Sequence, residues 1–110
     1  MAGVLRINYI MKYQLVIQII EPAALDDIIA LEDELSDLLS GEAIIDGHDI
    51  GSGEANIFII TDNPEANYKK IKAYLGKRLE KEQIKIAYRK TDGEEYVPLY
   101  PVSMKGFSIK

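Results

Sequence analysis

The sequence predicts an α+β domain in which two helices cover one face of an antiparallel sheet. Three observations carry this. Segments with apolar residues at every second position alternate with segments where they recur every third or fourth. Their order is β-α-β-β-α-β, with a short hairpin after it. The most uniformly apolar strands are the first and the third, as expected of strands interior to a sheet.

The first strand is Tyr13 to Ile20. Tyr13, Leu15, Ile17 and Ile19 share one side, with Gln14 and Gln18 on the other, the period-two alternation of extended chain. Val16 and Ile20 make the second side partly apolar, which predicts an interior strand. Glu21-Pro22 ends it, because proline suits the first turn of a helix. The helix then runs to about Leu39, with Ala24, Ile28, Leu31, Leu35 and Leu38 as one apolar stripe. Asp26 and Asp27 fall in the first turn, where the helix dipole favours carboxylates. Ser40-Gly41 supplies the stop.

Two strands follow, about Ala43 to Asp49 and Glu54 to Thr61, joined by Ile50-Gly51-Ser52-Gly53. Ile57 to Ile60 is apolar without interruption, so both faces of that strand need cover. Asp62-Asn63-Pro64 is a capped helix start. The second helix is expected to reach Leu79, with Tyr68, Ile71, Leu75 and Leu79 inward and Gly76 inside it. A fourth strand spans about Ile84 to Lys90. Asp92-Gly93 suits a hairpin turn, and Glu95 to Tyr100 returns as a short strand that Pro98 and Pro101 confine to an edge. This order is that of the split-βαβ, or ferredoxin-like, sandwich. Both helices then lie on one face, and either the C-terminal tail or a second copy of the chain must cover the other. The second copy, and hence a homodimer, is the favoured expectation, since large exposed apolar patches mark interfaces.

Length and composition set the class. A chain of 110 residues, 47% hydrophobic and 28% charged, is one globular domain. The expected division is an extension over 1–10 and one domain over 11–110, because Met11-Lys12 reads as a natural start. No stretch approaches the roughly 20 apolar residues of a membrane span, and no clear cleavage site follows the N-terminus. A cytoplasmic protein is therefore expected. The absence of cysteine removes disulfides, thiolate catalysis and cysteine-based zinc sites.

Charge is divided along the chain. Between Tyr13 and Tyr68 there is no lysine or arginine, while Glu32, Asp33, Glu34 and Asp37 mark the first helix as acidic. Lys69, Lys70, Lys72, Lys77, Arg78 and Lys81 make the second basic. One reading is mutual attraction between neighbouring helices, and the other is an acidic surface for a basic partner. Nucleic-acid binding is disfavoured by the net charge of −5 and by the scarcity of sheet aromatics beyond Tyr13 and Phe58.

The densest polar stretch is Asp46-Gly47-His48-Asp49 followed by Gly51-Ser52-Gly53-Glu54-Ala55-Asn56, which holds the only histidine. Strand parity decides who meets whom. An even connection sets Asp49 opposite Glu54 and His48 opposite Ala55. An odd one sets His48 opposite Glu54 and Asp46 opposite Asn56, gathering a histidine, two carboxylates and an amide on one face, where His48 is a general-base candidate. The structural alternative is that the aspartates bond the turn backbone and the glycines supply positive φ. The same cluster is a candidate for a divalent metal, but a lone histidine gives at most one imidazole ligand, which disfavours zinc. No metal and no cofactor is assigned to the chain.

The run Asp46-Gly47-His48-Asp49, Gly51-Ser52-Gly53-Glu54-Ala55-Asn56-Ile57-Phe58, with Ala87-Tyr88-Arg89 later, resembles a group of small bacterial proteins with this hairpin. The resemblance covers about Met11 to Pro101. It implies a bacterial, cytoplasmic origin and brings no activity with it.

Two functions follow. The first is a non-catalytic interaction module, a homodimer of the kind that neutralises a basic toxin as an immunity protein. Its binding residues are Asp46, His48, Asp49, Glu54 and Asn56, and its interface residues are Glu32, Asp33, Asp37, Tyr88, Tyr96 and Tyr100. The second is a small enzyme or ligand sensor of the dimeric α/β-barrel type, with its pocket between helices and sheet and His48 and Glu54 as its polar groups. An even hairpin separates those two residues and argues against the second function.

Overall fold

The computed structural model describes residues 11–20 and 24–109; the expected extension over 1–10 and the Glu21-Pro22 strand break lie outside the described residues. The elements are β1 (Tyr13–Ile19), α1 (Leu25–Leu38), β2 (Ala43–Gly51), β3 (Glu54–Thr61), α2 (Pro64–Leu75), α3 (Arg78–Lys81), β4 (Ile84–Lys90) and β5 (Val97–Tyr100). All five strands join one antiparallel sheet in the order β2-β3-β1-β4-β5. The architecture is α+β, with β1 at the centre and β3 beside it.

Register explains the core. Leu15 lies opposite Ile59 and Tyr88, Ile17 opposite Ile57 and Ile86, and Ile19 opposite Ala55 and Ile84. These three rows share one face and pack against Ile28, Leu31 and Leu35 of α1, Ile71 and Leu75 of α2, and Leu79 of α3. Burying each such side chain contributes about 1.5–3 kcal/mol. All three helices therefore cover the same face of the sheet.

The second helix is shorter than its apolar spacing predicts. Gly76 takes φ +52 and ends α2, a conformation that suits glycine. The single turn α3 then returns Leu79 to the core. At its start α2 has the expected cap, Asn63 Oδ1 accepting from the Ala66 amide at 3.4 Å. The terminal hairpin is looser than expected: Tyr88 pairs with Val97, so β5 begins at Val97 and Asp92-Gly93 lies within a longer connection.

The β2–β3 hairpin is tighter than expected. Both strands run on to Gly51 and Glu54, which pair, so Ser52-Gly53 alone makes the turn. Their φ values are +55 and +79, the both-positive pattern that matches the twist of a two-residue hairpin. The connection is thus even. Farther along, the register shifts between Ile45 and Gly47, where Gly47 takes φ +126. This bulge leaves Asp46 without a partner on β3. An unbroken register would set Asp46 opposite Ile59, against the core. The bulge sets Ile45 there instead and leaves Asp46 exposed.

The face away from the helices carries Gln14, Val16 and Gln18 of β1, Asn56, Phe58 and Ile60 of β3, and Lys85, Ala87 and Arg89 of β4. The C-terminal segment lies over part of it. The Ser108 carbonyl accepts from Gln18 Nε2 at 3.0 Å, and the Phe107 ring meets Tyr96 edge-on at 4.9 Å. Val16 and Ala87 are fully buried on this face. The tail thus covers this face at Gln18.

Candidate functional site

The even hairpin divides the predicted binding residues between two faces. His48 lies opposite Ile57, on the helix side, and its Nδ1 stands 2.8 Å from Glu32 Oε1. Asp49 lies opposite Asn56, on the other side, and Gly51 opposite Glu54. His48 and Glu54 are therefore on opposite faces, and the geometry does not join them as the enzyme reading requires. Asp46 projects from the bulge, exposed.

Glu54 and Asn56 enter a different assembly, one built on Gln18. These three side chains are 4%, 1% and 2% exposed. Gln18 Nε2 donates toward Asn56 Oδ1 at 3.0 Å and Glu54 Oε2 at 3.2 Å, besides the Ser108 carbonyl. Asn56 Nδ2 donates to the same Glu54 oxygen at 3.0 Å. Buried polar groups are costly unless bonded in this way. Sequence reasoning did not select Gln18, although its signal was present: a polar residue at an otherwise apolar interior position of the central strand.

Beside this network, at the end of the sheet, is a cavity of about 830 Å³. Gln18 and Glu54 line it together with Lys85, Tyr100, Phe107 and Ser108. It does not reach His48. Among the described residues, no three histidine, aspartate or glutamate side chains converge as a metal site.

The charged helices meet along one side of α1. Glu34 accepts a hydrogen bond from the Tyr74 hydroxyl and lies 3.9 Å from Arg78 Nη1, while Arg78 Nε donates to Glu82 at 2.7 Å. The bond to Glu34 pushes the Tyr74 hydroxyl above its ordinary pKa. Lys70 pairs with Glu42. Such exposed pairs stabilise by about 0–1 kcal/mol each, so attraction between acidic and basic helices is present and weak.

The other sides of α1 differ. Asp26, Asp33 and Asp37 form an outward stripe at spacing i, i+7, i+11 and are exposed. Leu25, Ile29 and Glu32, at i, i+4, i+7, make the stripe toward β2, as the Glu32–His48 contact establishes. There Leu25 is 52% exposed and Ile29 42%, and Ile50 of β2 is 42% exposed.

The three predicted interface tyrosines do not share a surface. Tyr88 packs edge-on against Tyr13 at 5.7 Å on the helix side and donates to Glu65 Oε2 at 3.3 Å. Burial, then the Glu65 charge, pushes its pKa up. Tyr96 lies against Phe107 and beneath the Arg89 guanidinium. Tyr100 packs on the core and lines the cavity.

Comparison with known proteins adds no relative: no family model matches the chain, and neither a curated protein nor a solved structure matches it. Among the described residues no helix is long and apolar enough to cross a membrane.

Proposed function

We propose that this protein is a non-catalytic binding module whose α1–β2 edge receives a basic, amphipathic surface of another protein. The observation that carries the reading is the exposure of Leu25, Ile29 and Ile50 beside the outward carboxylates Asp26, Asp33 and Asp37. Apolar side chains provide the burial that holds a partner, and the acidic border selects its charge and speeds encounter. Arg78 of α3 meets α1 on its opposite side, at Glu34, and Lys70 of α2 pairs with Glu42 beyond the end of α1, so this edge keeps its negative field. Neutralisation of a basic toxin in the bacterial cytoplasm, as an immunity protein does, is one role such a surface fits. The strand order, which reads β4-β1-β3-β2 from the inner side of β5, supports the ferredoxin-like assignment.

The test is affinity capture with wild type, with a Leu25→Ser/Ile29→Ser variant and with an Asp33→Lys/Asp37→Lys variant, each checked for folding. A partner held by wild type and lost by both variants supports the reading. Retention of the same partner by both removes it.

Self-association has its own observation. Ile44 is 42% exposed, and its register partner Ile60 and neighbouring Phe58 are only half-buried, on the face away from the helices. A homodimer buries these three. Light scattering checks it: a dimer for wild type that becomes monomeric in Ile44→Lys supports the arrangement, and a monomeric wild type excludes it.

A further inference from the structure

The Gln18 side chain has one end in use and one end spare. Its Nε2 faces three acceptors, namely Glu54 Oε2, Asn56 Oδ1 and the Ser108 carbonyl. Reversing the amide would set oxygen against oxygen three times over, so the chemistry fixes its orientation. The carbonyl Oε1 accepts no hydrogen bond among the described residues, yet it is not one of their fully buried atoms, so solvent still reaches it. An acceptor that solvent still reaches is open to a donor from a bound molecule. This one terminates a side chain that lines the cavity at the end of the sheet.

We propose that this cavity is a binding site for a small, uncharged aromatic molecule bearing an N–H or O–H donor, with the donor directed at Gln18 Oε1. The volume of about 830 Å³ lies within the range of sites that enclose small ligands, roughly 300–1,000 Å³. Tyr100 and Phe107 give the walls aromatic faces, against which a flat ring packs. Glu54 and Glu80 bring negative charge to the lining and Lys85 positive, so an ion of either sign meets a like charge. The ligand that fits combines a flat apolar body with a single directed donor. Phe107 and Ser108 belong to the C-terminal tail, which makes part of the site from a segment laid over the sheet. This site is separate from the α1–β2 edge and stands or falls independently of the partner proposed there.

The probe is indole, with 1-methylindole as the same ring lacking the donor, followed by amide chemical-shift titration of the full chain. Saturable shifts centred on Gln18, Phe107 and Ser108 are expected with indole at up to millimolar concentration. Binding of 1-methylindole should be about tenfold weaker, the equivalent of one lost hydrogen bond. Phe107→Ala, a change in the tail and outside the core, should weaken indole as well while leaving the rest of the spectrum in place. Absence of saturable shifts, shifts centred elsewhere, or equal affinity for the two probes would overturn the proposal.

Discussion

His48 and Glu32, 16 residues apart in the chain, join the outer strand β2 to helix α1 through a 2.8 Å contact between Nδ1 and Oε1. The carboxylate accepts only, so the imidazole N–H donates. The side chains are 29% and 15% exposed, between the limits of a surface pair and a buried one. A coupling energy of about 0.5–1 kcal/mol is expected. A double-mutant cycle of His48→Ala and Glu32→Ala in urea denaturation measures it. A coupling of zero would mean that the contact does not fasten β2 to the helix layer.

Gln18→Leu should be among the most destabilising substitutions outside the apolar core. Leucine is close in size, so the loss is that of the hydrogen bonds alone. Asn56 Oδ1, Glu54 Oε2 and the Ser108 carbonyl each lose a donor. A cost of about 2–3 kcal/mol is expected, with faster proteolysis of the tail beyond Pro101, since Ser108 is anchored through Gln18. A loss below about 0.5 kcal/mol would show that the network is not stabilising.

Much of the fold is legible in the sequence because periodicity is a physical record of burial. The odd residues of β1 and the even residues of β4 face the helices as their alternation predicts, whereas the unbroken apolar run of β3 does not mark which side its odd residues take. The turn residues were harder to read. Gly51 looks like part of a glycine-rich loop, but it remains in the strand, and only Ser52 and Gly53 adopt positive φ. Because the side-chain period is two, the length of that turn alone decides whether His48 faces Glu54 or turns to Glu32. The bulge at Asp46 is similarly hidden, since an inserted residue leaves composition unchanged. Glu54 and Asn56 stand out as polar residues on an apolar strand, yet their partner Gln18 comes from the far side of α1 in sequence. Pairing at that separation is set by tertiary register, which local patterns do not encode.

The turn itself can be tuned. Ser52 adopts φ +55 and Gly53 φ +79, and a Cβ placed on Gly53 would meet nothing within 4 Å. The cost of Gly53→Ala is therefore conformational, about 1–2 kcal/mol. Ser52→Asn should act in the opposite direction, because asparagine tolerates the left-handed region better and Asn-Gly is the favoured pair for this turn. A gain of roughly 0.5 kcal/mol is expected, read as a higher midpoint in thermal melts. If Gly53→Ala is neutral, the turn does not hold the register that separates His48 from Glu54.

Stability should be constant on the approach to pH 10 and fall above it. Tyr88 is raised from its ordinary value of 10.0 by burial and then by the Glu65 carboxylate, and Tyr68 is raised by burial and then by Tyr100. A group whose folded pKa lies above its unfolded one holds its proton more tightly when folded. Its contribution is complete below the unfolded value, and it is lost as pH rises through the folded one. Near pH 10 the unfolded chain releases these phenolic protons first, which draws the equilibrium toward unfolding. The wild-type curve alone does not separate Tyr88 from Tyr68. Tyr88→Phe does, because it removes the phenol while keeping the ring against Tyr13. The variant should give up the bond to Glu65 at neutral pH and lose less stability than wild type between neutral and strongly alkaline pH. Parallel curves for variant and wild type would show that the Tyr88 hydroxyl does not contribute to the alkaline transition.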